Sequence, residues 1–176
     1  MASLDAPSNG TTGPTGSLIP PESAQRVGQP LGEPVEVTIE AREAQRYAYA
    51  VGDENPIYFD PEAARAAGYR GLVAPPTFIS HATVGPRSLG ELMVDGLWRR
   101  GEGIRLEVAR VMFGGEEWDF LEPVCVGDRI TAQTRLADLD QKAGTKGPFV
   151  RIVRETTYTR ADGAVVARSR QIGIAR

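Results

Sequence analysis

A chain of 176 residues is long enough for one domain with a full core and hardly long enough for two. Charged residues make up 24%, the net charge is −3 and no basic block stands out, so a nucleic-acid partner is not indicated. A single cysteine, Cys125, excludes an internal disulfide, and the absence of any run of about 18 apolar residues or of a secretory pattern points to a cytoplasmic protein with no membrane partner.

Residues 1–17, MASLDAPSNGTTGPTGS, carry too little apolar surface to offset ordering entropy and are predicted as a disordered tail. Residues 18–34 are predicted as an extended arm, because the first 34 residues hold six of the thirteen prolines and no aromatic residue. The rest, 35–176, reads as one domain. Val35 to Thr38 is an extended lead-in, and Thr38 is placed to cap a helix from Ile39 to Val51. Gly52 stops that helix, where a left-handed residue is needed. Asp53-Glu54-Asn55-Pro56 makes a turn. Asp60 then caps a second helix, with Pro61 at its first position and Gly68 past its end. A third helix is predicted from Pro76, with Phe78, Ile79 and Ala82 on its apolar side. Gly85-Pro86 interrupts it, and Pro86 to Val94 resumes.

From Ile104 the period changes to two. Ile104, Leu106 and Val108 alternate with Arg105 and Glu107, which predicts a strand. Val111 to Phe120 is a further strand with a Gly114-Gly115 bulge or turn. Ile130 to Leu136 alternates again, and a loop follows from Asp140 to Pro148. Val150, Ile152, Thr156 and Tyr158 share one side of the next strand. Ala161-Asp162-Gly163 is a hairpin turn, and Val165 to Ile174 pairs back. Helices first and long antiparallel strands after predict an α+β domain, with helices covering one face of the sheet and dimerisation covering what remains open.

The stretch Tyr49-Ala50-Val51-Gly52-Asp53-Glu54-Asn55-Pro56-Ile57-Tyr58 resembles the signature of the MaoC-like (R)-specific enoyl-CoA hydratases. Gly68 to Phe78, GYRGLVAPPTF, is similar to the companion segment leading into the central helix of the hot dog fold. Phe120 to Ile130, FLEPVCVGDRI, is also like the family. The resemblance implies a single hot dog domain, a long curved antiparallel sheet wrapped around a central helix. It implies an acyl thioester substrate on coenzyme A or a carrier protein, and no cofactor. In the family an Asp and a His activate water, and a backbone N–H at the helix start holds the thioester oxygen.

Two parts of that signature are altered. Asp53, Asn55 and Pro56 match, but Tyr58 stands at the His position, and an ordinary phenol with a pKa near ~10 is a poor general base. Pro75-Pro76 stands where catalytic members have His-Gly, and Pro76 has no N–H to donate. This pattern resembles the fatty-acid-synthase-type dehydratase domains that lack the catalytic pair. It implies a hetero-oligomer in which a partner hot dog chain supplies Asp and His. The alternatives are a self-sufficient homodimeric acyl-thioester hydratase or thioesterase using Asp53 with Tyr58 or His81, and an acyl-CoA-binding or scaffolding protein without chemistry.

Each candidate also has a plainer reading. Asp53 is a general base or a turn carboxylate. Tyr58 is a hydrogen-bond donor to substrate or a core aromatic. His81 is a catalytic alternative or a packed histidine. Asn55, Thr77, Phe78, Trp98, Arg99 and Arg100 are candidate substrate contacts, the two arginines for coenzyme A phosphates or as solvated loop charges. Cys125, between Val124 and Val126, reads as an inert buried thiol. No metal-ligand cluster or dinucleotide fingerprint is evident.

Overall fold

The computed structural model describes residues 16–84, 88–92, 104–108 and 110–176. Trp98, Arg99, Arg100, the Gly85-Pro86 break and residues 1–15 lie outside them. Five strands form one antiparallel sheet: β1 (Val35–Thr38), β2 (Val111–Phe120), β3 (Arg129–Lys142), β4 (Phe149–Arg160) and β5 (Val165–Ala175). Their order is β1-β3-β4-β5-β2. Short connections place β3, β4 and β5 side by side at the centre. The hairpin between β4 and β5 turns at Gly163, whose φ of 91° is left-handed. There the Arg160 N–H donates to Ala164 O at 2.8 Å and the Ala164 N–H to Asp162 Oδ1 at 3.1 Å.

Register shifts between Phe113 and Gly115, Leu136 and Asp138, and Tyr158 and Thr159 bend and twist the sheet. A Cβ on Gly114 would meet Ile174 Cγ1 at 3.0 Å and the Ile172 carbonyl oxygen at 3.2 Å, so this bulge is built for glycine. Into the resulting concave face packs α4 (Phe78–Ala82), through Phe78 and Ile79. Ile39, Ile130, Tyr158 and Val166 complete that core. A second cluster at the other end of the sheet joins Leu18 and Leu31 to Leu136, Val150, Ile152 and Ala175. This is the hot dog architecture, an α+β domain with one curved sheet around one helix.

Several local expectations change. Helix α2 spans Ala41–Val51, and Thr38 ends β1 instead of capping it. The Ile39 N–H donates to Asp128 O at 2.8 Å, and Ile39 O accepts from Gly127 at 2.9 Å. Burying Ile39 against the turn before β3 therefore outweighs a local cap. Ile104 to Val108 keeps the predicted alternation of burial but is not a strand. Its backbone partners lie in the arm: Glu107 N–H donates to Leu18 O at 3.1 Å. Ser23 Oγ donates to Arg105 O at 2.6 Å and accepts from Arg105 N–H at 2.9 Å. Strand β3 runs on to Lys142, because the bulge after Leu136 restores pairing of Gln141 with Val150. Helix α4 starts two residues after Pro76, at Phe78. Within the predicted Pro86 to Val94 helix, the described part forms only a 3₁₀ turn, Leu89–Glu91.

The arm contains a short helix, α1 (Pro21–Ala24), and then runs beside β3. Gly28 N–H donates to Leu136 O at 2.7 Å and Leu31 N–H to Thr134 O at 2.8 Å. The arm thus continues the edge that β1 covers only from Arg129 to Ala132. Among the described residues no helix is long and apolar enough to cross a membrane.

Candidate functional site

The site begins where α2 stops. Gly52 adopts φ 72°, its N–H returning to the last turn, and this sharp exit places Asp53 beside the helix end. Asp53 Oδ1 accepts from Asn55 N–H at 3.2 Å, and Asn55 Oδ1 accepts from Ile57 N–H at 3.2 Å. Asn55 therefore caps the 3₁₀ turn Pro56–Tyr58. That turn drives Tyr58 inward, where it is 6% exposed. Asp60 Oδ1 then caps α3 (Pro61–Ala66) by accepting from Glu62 N–H at 2.8 Å.

The segment from Tyr69 to Pro76 runs between this turn and the connection from Leu121 to Asp128. Val73 N–H donates to Ile57 O at 3.1 Å, Ala74 N–H to Val124 O at 2.8 Å, and Val126 N–H to Leu72 O at 2.8 Å. Cys125 to Asp128 is a turn with Gly127 at φ 90° and Asp128 N–H donating to Cys125 O at 3.0 Å. Asp128, 5% exposed, uses both carboxylate oxygens. Oδ2 accepts from Cys125 N–H at 2.8 Å, and Oδ1 accepts from the Arg70 guanidinium. That hydrogen bond holds Arg70 above the ordinary guanidinium range.

Between these two walls, α4 and β5 lies a cavity of about 320 Å³. Tyr58, Tyr69, Pro76, Ile79, Phe120 and Val166 are among its lining residues. Its lining is apolar apart from the two phenols and Glu122, whose carboxylate accepts from Arg160 at 2.8 Å. Neither Asp53 nor His81 lines it.

The structure brings Asp53 and Tyr58 together. Burial pushes the Tyr58 phenol up, and the nearby Asp53 carboxylate raises it further. The folded value lies above the unfolded one. Its contribution to stability is therefore complete below about pH 10 and is lost as pH rises through the folded value. An alkaline absorbance titration, referenced to Tyr58→Phe, is expected to show Tyr58 ionising above the ordinary phenol range. Asp53→Asn should move it back down; no movement would mean that the carboxylate does not act on the phenol.

The other predicted residues lie apart from the cavity. Phe78 is 2% exposed, within the core and not in the cavity lining. Thr77 is exposed, its hydroxyl 2.9 Å from the Tyr47 hydroxyl. His81 is exposed, with its ring 5.8 Å from Tyr47 and 6.2 Å from Phe78. Cys125 is buried, and burial pushes its thiol up, away from reactivity. Sequence reasoning assigned no role to Arg70, Tyr69 or Asp128. Asp128 stood in the family-like segment Phe120 to Ile130, but its partner Arg70 is 58 residues away.

Known proteins resemble this chain in sequence or in fold. A UPF0336 protein of Streptomyces avermitilis is 36% identical over 115 residues, 65% of this chain and 70% of the relative. Among solved structures, the ChsH1-ChsH2 complex from Mycobacterium tuberculosis aligns with a TM-score of 0.68. The identity is 22%, over 87% of this chain and 92% of that one. The C-terminally truncated HadBC (3R-hydroxyacyl-ACP dehydratase) complex from the same organism aligns at 0.64 and 22%, over 85% and 96%. At these identities the two complexes speak for the fold. The family model for the FAS1-like dehydratase domain region matches residues 25–169, and the chain belongs to that family.

Proposed function

We propose that this chain is the cavity-forming, non-catalytic subunit of a hetero-oligomeric MaoC-like hydratase. The reaction is (R)-specific hydration of an enoyl thioester, or dehydration of the corresponding 3-hydroxyacyl thioester. The substrate thiol is coenzyme A or a carrier protein, and a cytoplasmic setting fits the single buried thiol. A partner hot dog chain supplies the Asp and His. One observation supports the reading: Tyr58 and Pro76, which the sequence resemblance sets at the positions of an imidazole and an N–H donor, both line the cavity. Tyr58 holds its proton tightly, because burial and Asp53 both oppose its loss. It cannot take a proton from water near neutral pH. Pro76 has no N–H, and a missing donor of this kind costs about 10²–10³ in rate.

What the chain itself offers is shape. The apolar lining takes the acyl part and excludes water. Tyr69, Phe120 and Ile79 border the space. Water addition across an enoyl bond involves no net redox change, so the proposal requires no cofactor. The two structurally similar complexes are named as assemblies of two chains, which supports a hot dog partner for this one.

A second reading has its own observation. The Asp53 carboxylate acts on the Tyr58 phenol, which suits a self-sufficient homodimer with Tyr58 as acid. Crotonyl-CoA hydration separates the two. The chain alone should run at background and the mixture with a MaoC-like chain bearing Asp and His should turn over. Asp53→Asn in the mixture should change turnover by less than about threefold. A loss of about 10² or more, the size of a general acid–base contribution, would favour the self-sufficient enzyme.

A further inference from the structure

Tyr58, Tyr69 and Glu122 are the lining residues whose side chains bring oxygen into the cavity. Tyr58 belongs to the 3₁₀ turn, and Tyr69 follows α3. The Tyr69 N–H donates to Ala64 O at 3.0 Å, which ties it to the end of α3, and the Val73 N–H donates to Ile57 O at 3.1 Å, which joins its segment to the turn. Tyr69 is half-buried and packs against the cluster that holds Tyr58. The two phenols lie near enough to act on each other electrically. From the other wall and the sheet, the side chains of Phe120, Leu121, Val124 and Val166 add only hydrocarbon. A dry cavity of about 150 Å³ takes a benzene ring, so this one has room for an acyl segment of roughly a dozen heavy atoms.

A phenol hydroxyl both donates and accepts. Tyr58 keeps its proton at neutral pH, because burial and the Asp53 carboxylate oppose its loss. Methylene groups laid over these hydroxyls remove their water and return no partner. An oxygen on the acyl chain restores one. A site that hydrogen-bonds a substrate hydroxyl therefore rejects the analogue without it. Charge narrows the class further. Among the described residues that line the cavity, none is Lys, Arg or His. Glu122 lines it, and the Asp53 carboxylate acts on Tyr58. Arg160 donates to Glu122 at 2.8 Å and to Asp162 at 2.9 Å, so its charge is shared by two carboxylates. A carboxylate on the acyl chain would meet like charge with no lining cation to offset it.

We propose that the cavity selects an acyl group bearing a neutral hydroxyl or keto oxygen, held by the Tyr58 and Tyr69 hydroxyls, over a plain hydrocarbon chain and over a chain ending in a carboxylate. The apolar lining supplies affinity, the phenols supply the choice of oxygen, and Glu122 with Asp53 supplies the rejection of anions. Tyr69 is the stronger discriminator, because Tyr58 already has the Asp53 carboxylate beside it. This deepens the proposed function and rests on its assignment of the acyl group to this cavity.

The test uses the full chain and reads binding, not turnover. Its probes are saturated N-acetylcysteamine thioesters of matched length: octanoyl, the 4-, 6- and 8-hydroxyoctanoyl forms, and the mono-thioester of octanedioic acid. By titration calorimetry at neutral pH, the best hydroxyoctanoyl probe should bind about three- to tenfold tighter than octanoyl, the range for one net hydrogen bond. The octanedioic probe should bind most weakly. Tyr69→Phe keeps the ring and should bring the hydroxyl preference to within about twofold of none, while octanoyl affinity holds or rises. Glu122→Gln should strengthen the octanedioic probe and leave the order of the others unchanged. Octanoyl binding as tightly as every hydroxy probe would overturn the proposal. So would a hydroxyl preference that survives Tyr58→Phe, Tyr69→Phe and their combination, or an octanedioic probe that binds best. Binding without any preference would sink this inference alone, whereas no binding of any thioester would sink the functional reading with it.

Discussion

Phe78→Ala is expected to destabilise the chain by about 3–5 kcal/mol, the range for truncating a fully buried aromatic residue. In a chain of this length that corresponds to a fall in Tm of roughly 6–20 °C. Phe78 is the largest of the fully buried side chains and stands on the first residue of α4. Its ring meets Tyr47 edge-on with centroids 5.6 Å apart, a geometry worth about 0.5–1.5 kcal/mol beyond burial. Removing it opens a void between α2, α4 and the sheet. Its neighbour Ile79 lines the cavity, so under the proposed function loss of the α4 anchor should also weaken acyl-thioester binding. Phe78→Leu keeps most of the volume and should cost about 1.5 kcal/mol or less. Urea unfolding of both variants checks this, and equal midpoints for Phe78→Ala and wild type would show that α4 is not anchored here.

Asp128→Ala should cost about 2–4 kcal/mol, for a different reason. Removal of the carboxylate strands the Cys125 N–H in a buried place and leaves Arg70 without its acceptor. Arg70 is about half exposed, so water compensates part of its loss and the full penalty for splitting a buried ion pair does not apply. Asp128→Asn retains one carbonyl acceptor and should lose about half as much. The expected pattern by thermal unfolding is wild type, then Asn, then Ala. Arg70→Ala should add little on top of Asp128→Ala, because both act through one contact. Fully additive losses would show that the two residues are independent. The functional consequence follows from the position of the contact. Asp128 ties the Cys125–Asp128 turn to the segment that carries Arg70, so under the proposed function these variants should loosen acyl-thioester binding more than they slow turnover.

The features legible in the chain were those a few residues can decide. Gly52 needs a left-handed conformation, Asp60 and Pro61 start α3, and Ala161-Asp162-Gly163 turns a hairpin; each is a local steric or hydrogen-bonding matter. Period-two alternation placed Val150, Ile152 and Tyr158 in the core of β4, since alternate side chains share a face. The same rule was right about burial at Ile104, Leu106 and Val108 and wrong about the strand. Alternation reports which side chains face inward, whereas a strand also needs a ladder, and here the arm supplies the backbone partners instead. Thr38 failed as a cap for a related reason: the tertiary contacts of Ile39 with Gly127 and Asp128 took the backbone groups that a cap would have ordered.

The sequence by itself determined the family resemblance, the turns, and the two substitutions that mark the site, Tyr58 and Pro76. Only the tertiary structure decided that Tyr58 lines the cavity, that Phe78 belongs to the core, and that His81 lies outside the cavity. It alone joined Arg70 to Asp128 and, among the described residues, set β2 at the end of the sheet beside β5. Propensity, caps and turn chemistry act over about four residues. Which distant surfaces meet depends on how the whole sheet bends and what it buries, and the site is made at those meetings.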